Sequence, residues 1–200
     1  MSDIDCYRPF LFERLDVRGA FVRLGPAWQA MLAGRGYPAP VLGLLGETAA
    51  VSVLIAANLK QPGRLTFQVE GSGVVQRLVL DCDERLGLRG MAQHDPVVPE
   101  GAPDILLGDG QLLLTLDSNR GGAPYQSRVP LDGGNMASIF QHYLERSEQQ
   151  PARLLLAADG RHAGGLFLQK LPGADRADAD GWQRLGMLAD TLRSEELLTR

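Results

Sequence analysis

The sequence predicts an α+β fold: antiparallel sheets packed around one buried central helix, a layered β/α/β arrangement, with a linker helix at the C-terminal end. Three observations predict it. Residues 41–59 form a near-continuous apolar run, too long for a strand and therefore helical. Stretches after it alternate apolar and polar residues at period two, the mark of half-buried strands joined by short glycine-bearing turns. Beyond residue 172 the composition shifts to Ala, Asp and Gly before one last amphipathic stretch. This divides the chain into a core at 1–172 and a linker segment at 173–200.

In chain order, residues 7–24 read as two short strands, with Phe10 and Phe12 alternating with Leu11 and Glu13, and with a bend at Arg18-Gly19. Pro26 suits the first turn of a short helix that presents Trp28, Met31 and Leu32 on one face and ends at Gly34 and Gly36. In the 41–59 helix the apolar residues surround the whole circumference. Such a helix is buried on all sides or crosses a membrane. Glu47, Thr48, Ser52 and Asn58 favour burial, and Gly43, Gly46, Ala50 and Ala57 form a stripe for close approach of a neighbour.

Leu65, Phe67 and Val69 then mark a strand, followed by strands at 75–80 and 86–91, so the sheet is expected to be an antiparallel meander. Residues 95–104 read as a loop, 112–116 as a strand, and 119–124 as its connection to a partner at 125–129. Residues 134–147 show helical periodicity through Met136, Ile139, Phe140, Tyr143 and Leu144. A hairpin follows at 152–158 and 165–171, with Asp159-Gly160 in a connection longer than two residues. Residues 172–181 read as a linker. Trp182, Leu185, Leu188, Ala189 and Leu192 then share one face of a helix, and the chain stops inside helical-looking sequence at Ser194-Glu195-Glu196-Leu197-Leu198.

Bulk chemistry narrows the function classes. The formal net charge is −4 and no Lys/Arg run occurs, which argues against a nucleic-acid partner. An acidic start without a following apolar segment argues against a signal peptide and for a cytoplasmic protein. Cys6 and Cys82 form no CxxC or CxC pair, and no His lies at metal-ligand spacing from either. They read as buried thiols, with a Cys6–Cys82 bridge as the alternative. His94, His142 and His162 accompany no G-x-S-x-G elbow. Gly71-Ser72-Gly73 and Gly108-Asp109-Gly110 lack the Lys-Ser/Thr ending of a phosphate loop and read as turns. Asp81-Cys82-Asp83-Glu84 fails the calcium-loop pattern. The expectation is therefore not an enzyme, with no catalytic residue, no bound cofactor and no metal ligand in this chain.

Several motifs carry a resemblance. Residues 143–154, Tyr-Leu-Glu-Arg-Ser-Glu-Gln-Gln-Pro-Ala-Arg-Leu, closely resemble a signature of the thirty-three-kilodalton heat-shock holdase family of bacteria. Phe10-Leu11-Phe12-Glu13 before Val17-Arg18-Gly19, Gln68-Val69-Glu70-Gly71-Ser72-Gly73 before Leu88-Arg89-Gly90-Met91-Ala92, and Leu168-Gln169-Lys170-Leu171-Pro172 agree in order and spacing. Ser194 to Leu198 resembles the family's linker. The resemblance implies an ATP-independent chaperone that keeps unfolding proteins in solution under oxidative stress, and a capacity to form homodimers. It also implies a C-terminal zinc domain with four cysteines, whose oxidation unfolds the linker and exposes the client surface. None of those four cysteines is present here, so no metal ligand or redox thiol is carried over. The unfinished tail favours a truncated chain uncoupled from redox control, or an inert core needing the missing parts. The expected client-binding residues are Trp182, Leu185, Leu188 and Leu192, together with whatever sheet surface their helix covers; the rival is that this face merely packs on the domain.

Overall fold

The computed structural model describes residues 4–59, 62–118, 123–131 and 133–199. Two antiparallel sheets flank one long helix. The first hairpin, β1 (Cys6–Phe12) and β2 (Val17–Leu24), turns at residues 13–16, where Leu15 N–H donates to Phe12 O and Asp16 adopts φ 48°. The bend expected at Arg18-Gly19 is not there. Gly19 lies within β2, and a Cβ on it would sit 2.4 Å from the Phe10 ring that crosses over it from β1. The glycine serves ring packing rather than a turn.

Short α1 (Pro26–Leu32) has Pro26 in its first turn, and Trp28 is fully buried, its indole N–H donating to Asp159 O at 2.8 Å. The apolar run is α2 (Ala39–Ala56), shifted two to three residues towards the N-terminus of the expected span. It packs on β2 and on the last two strands on one side and on three strands of the second sheet on the other. It is long and apolar enough to cross a membrane, yet the two sheets bury it. Its two buried hydroxyls are satisfied locally: Thr48 and Ser52 donate to the carbonyls of Leu44 and Thr48, each at 2.6 Å. Of the expected small-residue stripe, Gly46 is tight, a Cβ there meeting the Ala158 Cβ at 2.4 Å, whereas Gly43 faces open space.

The second sheet contains β3 (Gly63–Glu70), β4 (Val75–Cys82), β5 (Leu88–His94), β6 (Gln111–Ser118) and β7 (Tyr125–Val129), in the order β5-β4-β3-β6-β7. The meander thus holds for the first three strands only; β6 returns beside β3. The expected loop at 95–104 instead ends in a short helix, α3 (Pro103–Leu107), whose Leu106 and Leu107 enter the core. The two glycine turns meet there: Gly73 N–H donates to Leu107 O, and Asp109 N–H to the Ser72 hydroxyl. The connection expected at 119–124 falls largely outside the described residues. Helix α4 (Met136–Glu148) begins with Asn135, whose side chain accepts from Ser138 N–H, and inserts Phe140 edge-on to Phe67, ring centroids 4.9 Å apart.

The last hairpin, β8 (Ala152–Ala158) and β9 (Ala163–Lys170), joins the first one, giving the sheet order β1-β2-β9-β8. Nothing local in the sequence announces this pairing of the two ends of the core. In the tail, α6 (Gly181–Ala189) and α7 (Ser194–Thr199) stand where helices are expected, and a short α5 (Ala174–Ala177) lies within the expected linker at 172–181.

Candidate functional site

The four-stranded sheet is apolar on both faces. Period two sends Ala20, Val22, Leu154 and Phe167 to the main core around α2. It sends Val17, Phe21, Leu155, Ala157, Leu166 and Leu168 to the opposite face. That second face would be an exposed apolar platform, but the C-terminal helices lie over it. Trp182, Leu185 and Ala189 of α6 pack with Val17, Leu168, Phe10 and Leu15. Leu197 and Leu198 of α7 pack with Ala157, Phe21 and Leu166. The approach of α7 is close: a Cβ on Gly164 of β9 would lie 2.6 Å from Leu197 O.

The cover is fastened lightly. Leu171 N–H donates to Asp16 O, and beyond that residue the main-chain hydrogen bonds of the described tail are local to it. Among the described residues the ion pairs to the core are Lys170–Asp175 at 2.6 Å, with Lys170 only 19% exposed, and Arg153–Asp190 at 2.6 Å, with side chains 36% and 56% exposed. An exposed pair such as the second contributes ~0–1 kcal/mol. Within the tail, Arg184 holds the Asp178 carboxyl below its usual range.

The four expected client-binding residues are split by this arrangement. Trp182 and Leu185 are half-buried against the sheet, while Leu188 is 66% exposed. Helix α6 ends at Ala189, so Leu192 lies beyond it rather than on its face, half-buried at a crevice beside α7. Met187, 58% exposed next to Leu188, was not singled out from the sequence, because its position off the periodic face hides it. The same crevice reaches Glu47 of α2 between Asn135, Ser138 and Gln141 of the α4 end and Ser194 of the tail. Burial raises the Glu47 carboxyl to about 7.

The remaining candidate chemistry is scattered. His94, His142 and His162 stand on β5, on α4 and in the β8–β9 turn. Cys6 and Cys82 are free thiols in different sheets, so the bridge is not formed, and burial with the Asp83 charge pushes the Cys82 thiol up to about 12. In the acidic cluster, Asp81 accepts from the Thr66 hydroxyl and Asp83 from the N–H groups of Arg85 and Gly87, which are structural roles. Among the described residues no group of three or more His, Cys, Asp or Glu side chains is placed to hold a metal ion. Two thiols in separate sheets do not fit the four-cysteine zinc site implied by the resemblance.

Comparison with known proteins agrees with this architecture. The family model described as Hsp33 protein matches residues 5–200. The 33 kDa chaperonin of Methylobacillus flagellatus is 43% identical over 200 residues, which cover 99% of this chain and 68% of that protein. The 33 kDa chaperonin of Nitrosococcus oceani is 40% identical over 199 residues, again covering 68% of its length. The crystal structure of the 33 kDa chaperonin from Thermotoga maritima superposes with a TM-score of 0.75 at 20% identity, over 96% of this chain and 69% of that one, and so shares the fold. With a match that runs from the first hairpin through α7, this chain belongs to the Hsp33 family of chaperones.

Proposed function

We propose that this chain is an ATP-independent, cytoplasmic holdase that binds unfolding proteins through apolar surface and performs no covalent step. The observation that carries this reading is the apolar outer face of the β1-β2-β9-β8 sheet, closed by a lightly fastened helical cover. Unfolding clients expose apolar surface, and burial of such surface is worth ~25 cal/mol per Å². Leu188 and Met187 give first contact on the outside of α6. Release of the cover then adds Trp182, Leu185, Leu192 and the sheet face. Cys82 is buried in the other sheet with its thiol pushed up, and Cys6, half-buried on β1, has no second thiol in its own sheet to bridge to, so binding is expected to ignore peroxide and reductant.

Light scattering of heat-unfolding citrate synthase tests the proposal. The chain should suppress scattering at stoichiometric amounts, equally with and without ATP, peroxide or dithiothreitol. A strong redox or ATP response, or no suppression from either the whole chain or one ending at Pro172, would overturn it.

The cover also favours a second reading, in which α6 and α7 stay docked and the chain is inert. In that case the whole chain fails to suppress scattering while the chain ending at Pro172 succeeds.

A further inference from the structure

The two sheets present four edge strands, and three of them are guarded. On β8, the N–H groups of Ala152 and Leu154 donate to side-chain oxygens of Glu145 (3.0 Å) and Gln141 (3.1 Å) of α4. On β5, Ala92 N–H donates to the Tyr37 hydroxyl at 3.0 Å, and Arg35 donates to Gly90 O at 2.7 Å. Strand β1 carries Pro9 in its middle, which removes a donor from that edge. Strand β7 has none of these devices: among the described residues no side chain bonds to its main chain, and β6 is its one partner strand. A cleft of about 510 Å³ runs beside it, lined by Tyr125, Ser127 and Arg128 of β7 and His142, Tyr143 and Arg146 of α4. Among the described residues no carboxylate lines that cleft, and Tyr125 is 58% exposed at its mouth.

We propose that β7 is a strand-addition site, at which an extended, acid-bearing segment of an unfolding polypeptide pairs with the open edge and lies in the cleft against α4. Main-chain hydrogen bonds carry the affinity in this mode, so it tolerates many side-chain sequences. That suits an occupant whose only common property is an exposed, extended backbone. The Arg146 guanidinium biases the choice towards carboxylates, while Arg128 also borders Glu70 and Asp109 in the neighbouring groove. The site thus takes polar segments that the apolar sheet face does not. Identification of the occupant as an unfolding protein rests on the holdase reading; the pairing itself does not.

Fluorescence anisotropy with a labelled ten-residue peptide of alternating Thr and Glu tests this on the whole chain. The peptide should bind saturably. N-methylation of alternate peptide amides should weaken it at least about tenfold, and Lys in place of Glu about fivefold. Arg146→Glu should reverse the Glu-over-Lys preference, and Ser127→Lys, a charge placed in the cleft in place of the hydroxyl that bonds Tyr143, should abolish binding while circular dichroism stays unchanged. Equal binding of the N-methylated peptide, or an unchanged preference in Arg146→Glu, would overturn the proposal. So would a wild-type dimer that binds no peptide and becomes monomeric with Ser127→Lys, because the edge then belongs to a second copy. Intact peptide binding in a chain without scattering suppression sinks the holdase reading and leaves strand addition standing; suppression with N-methyl-insensitive binding does the reverse.

Discussion

The inner and outer faces of the β1-β2-β9-β8 sheet are both apolar, yet they are closed by different kinds of structure. The inner face meets α2, an eighteen-residue helix that a second sheet presses from behind. The outer face meets α6 and α7, of nine and six residues, with nothing described behind them and polar links that are mostly solvent-exposed. Equal hydrophobicity of two faces therefore gives unequal stability of what covers them. A helix held from two sides unfolds with the domain, whereas a short helix held from one side can open by itself. Under the holdase reading this asymmetry matters, because a surface offered to clients would have to be separable from the surface that keeps the domain folded.

The largest effect is expected on the inner side. Leu45 is fully buried between the sheets, and Leu45→Ala should cost about 3–4 kcal/mol of unfolding free energy in urea, with loss of the whole transition rather than part of it. If the midpoint barely moves, α2 is not the common core of the two sheets. In a Trp28→Phe background the same substitution should leave the exposure of Trp182, read by its fluorescence, unchanged until global unfolding.

Glu47 lies where the two regimes meet. Burial raises its carboxyl from an ordinary 4.5 to about 7, so the fold favours the neutral acid. The stability it allows is fully present below pH 4.5 and is lost as pH rises through about 7. Glu47→Gln should therefore match the parent near pH 4.5 and exceed it by about 3 kcal/mol at pH 8 and above. Among the described residues no other ionised side chain lines its crevice, so salt should change this difference little. Equal stability of the two proteins across that pH range would show that Glu47 is well solvated, and that the crevice beneath α7 is open.

How far these regions are legible in the sequence follows the same asymmetry. The 41–59 run announces a helix buried on all sides because nineteen apolar-rich residues admit few other solutions. In the second sheet β3 shows clean alternation, having one wet face. The outer face of the first sheet is harder to read. Leu154, Leu155 and Leu156 in β8 and Leu166, Phe167 and Leu168 in β9 are runs without alternation, since both faces are covered, and alternation alone cannot tell what covers them. The pairing of β2 with β9 joins residues about 150 positions apart and leaves no local trace. Gly19 misleads for a related reason: the Phe10 ring that requires it belongs to the neighbouring strand. Of the four residues expected to meet clients, periodicity locates Trp182 and Leu185 on the packed side of α6, but it cannot show that Leu188 falls at the solvent edge or that the helix ends before Leu192.

A smaller effect on stability is expected at the fastening of the cover. Arg153→Ala removes the pair with Asp190 and should lower global stability by less than about 1 kcal/mol. Amide exchange in α6 and α7 should nevertheless quicken, with β8 and β9 unaffected, and scattering suppression should rise. Slower suppression with faster exchange would mean that the docked cover, rather than the face beneath it, binds clients.

The smallest effect on stability separates packing from function. Leu188 is 66% exposed and outside the cluster formed by Trp182, Leu185 and the sheet, so Leu188→Ala should change Tm hardly at all. Leu185→Ala, on the packed side, should loosen the cover and lower Tm measurably. Under the holdase reading the two substitutions act in opposite directions on scattering: Leu188→Ala removes an external contact and weakens suppression, while Leu185→Ala exposes the sheet and strengthens it. A common direction for both would mean that the helix is a single surface, either wholly client-binding or wholly structural, and the division of labour between the two sides of α6 would not exist.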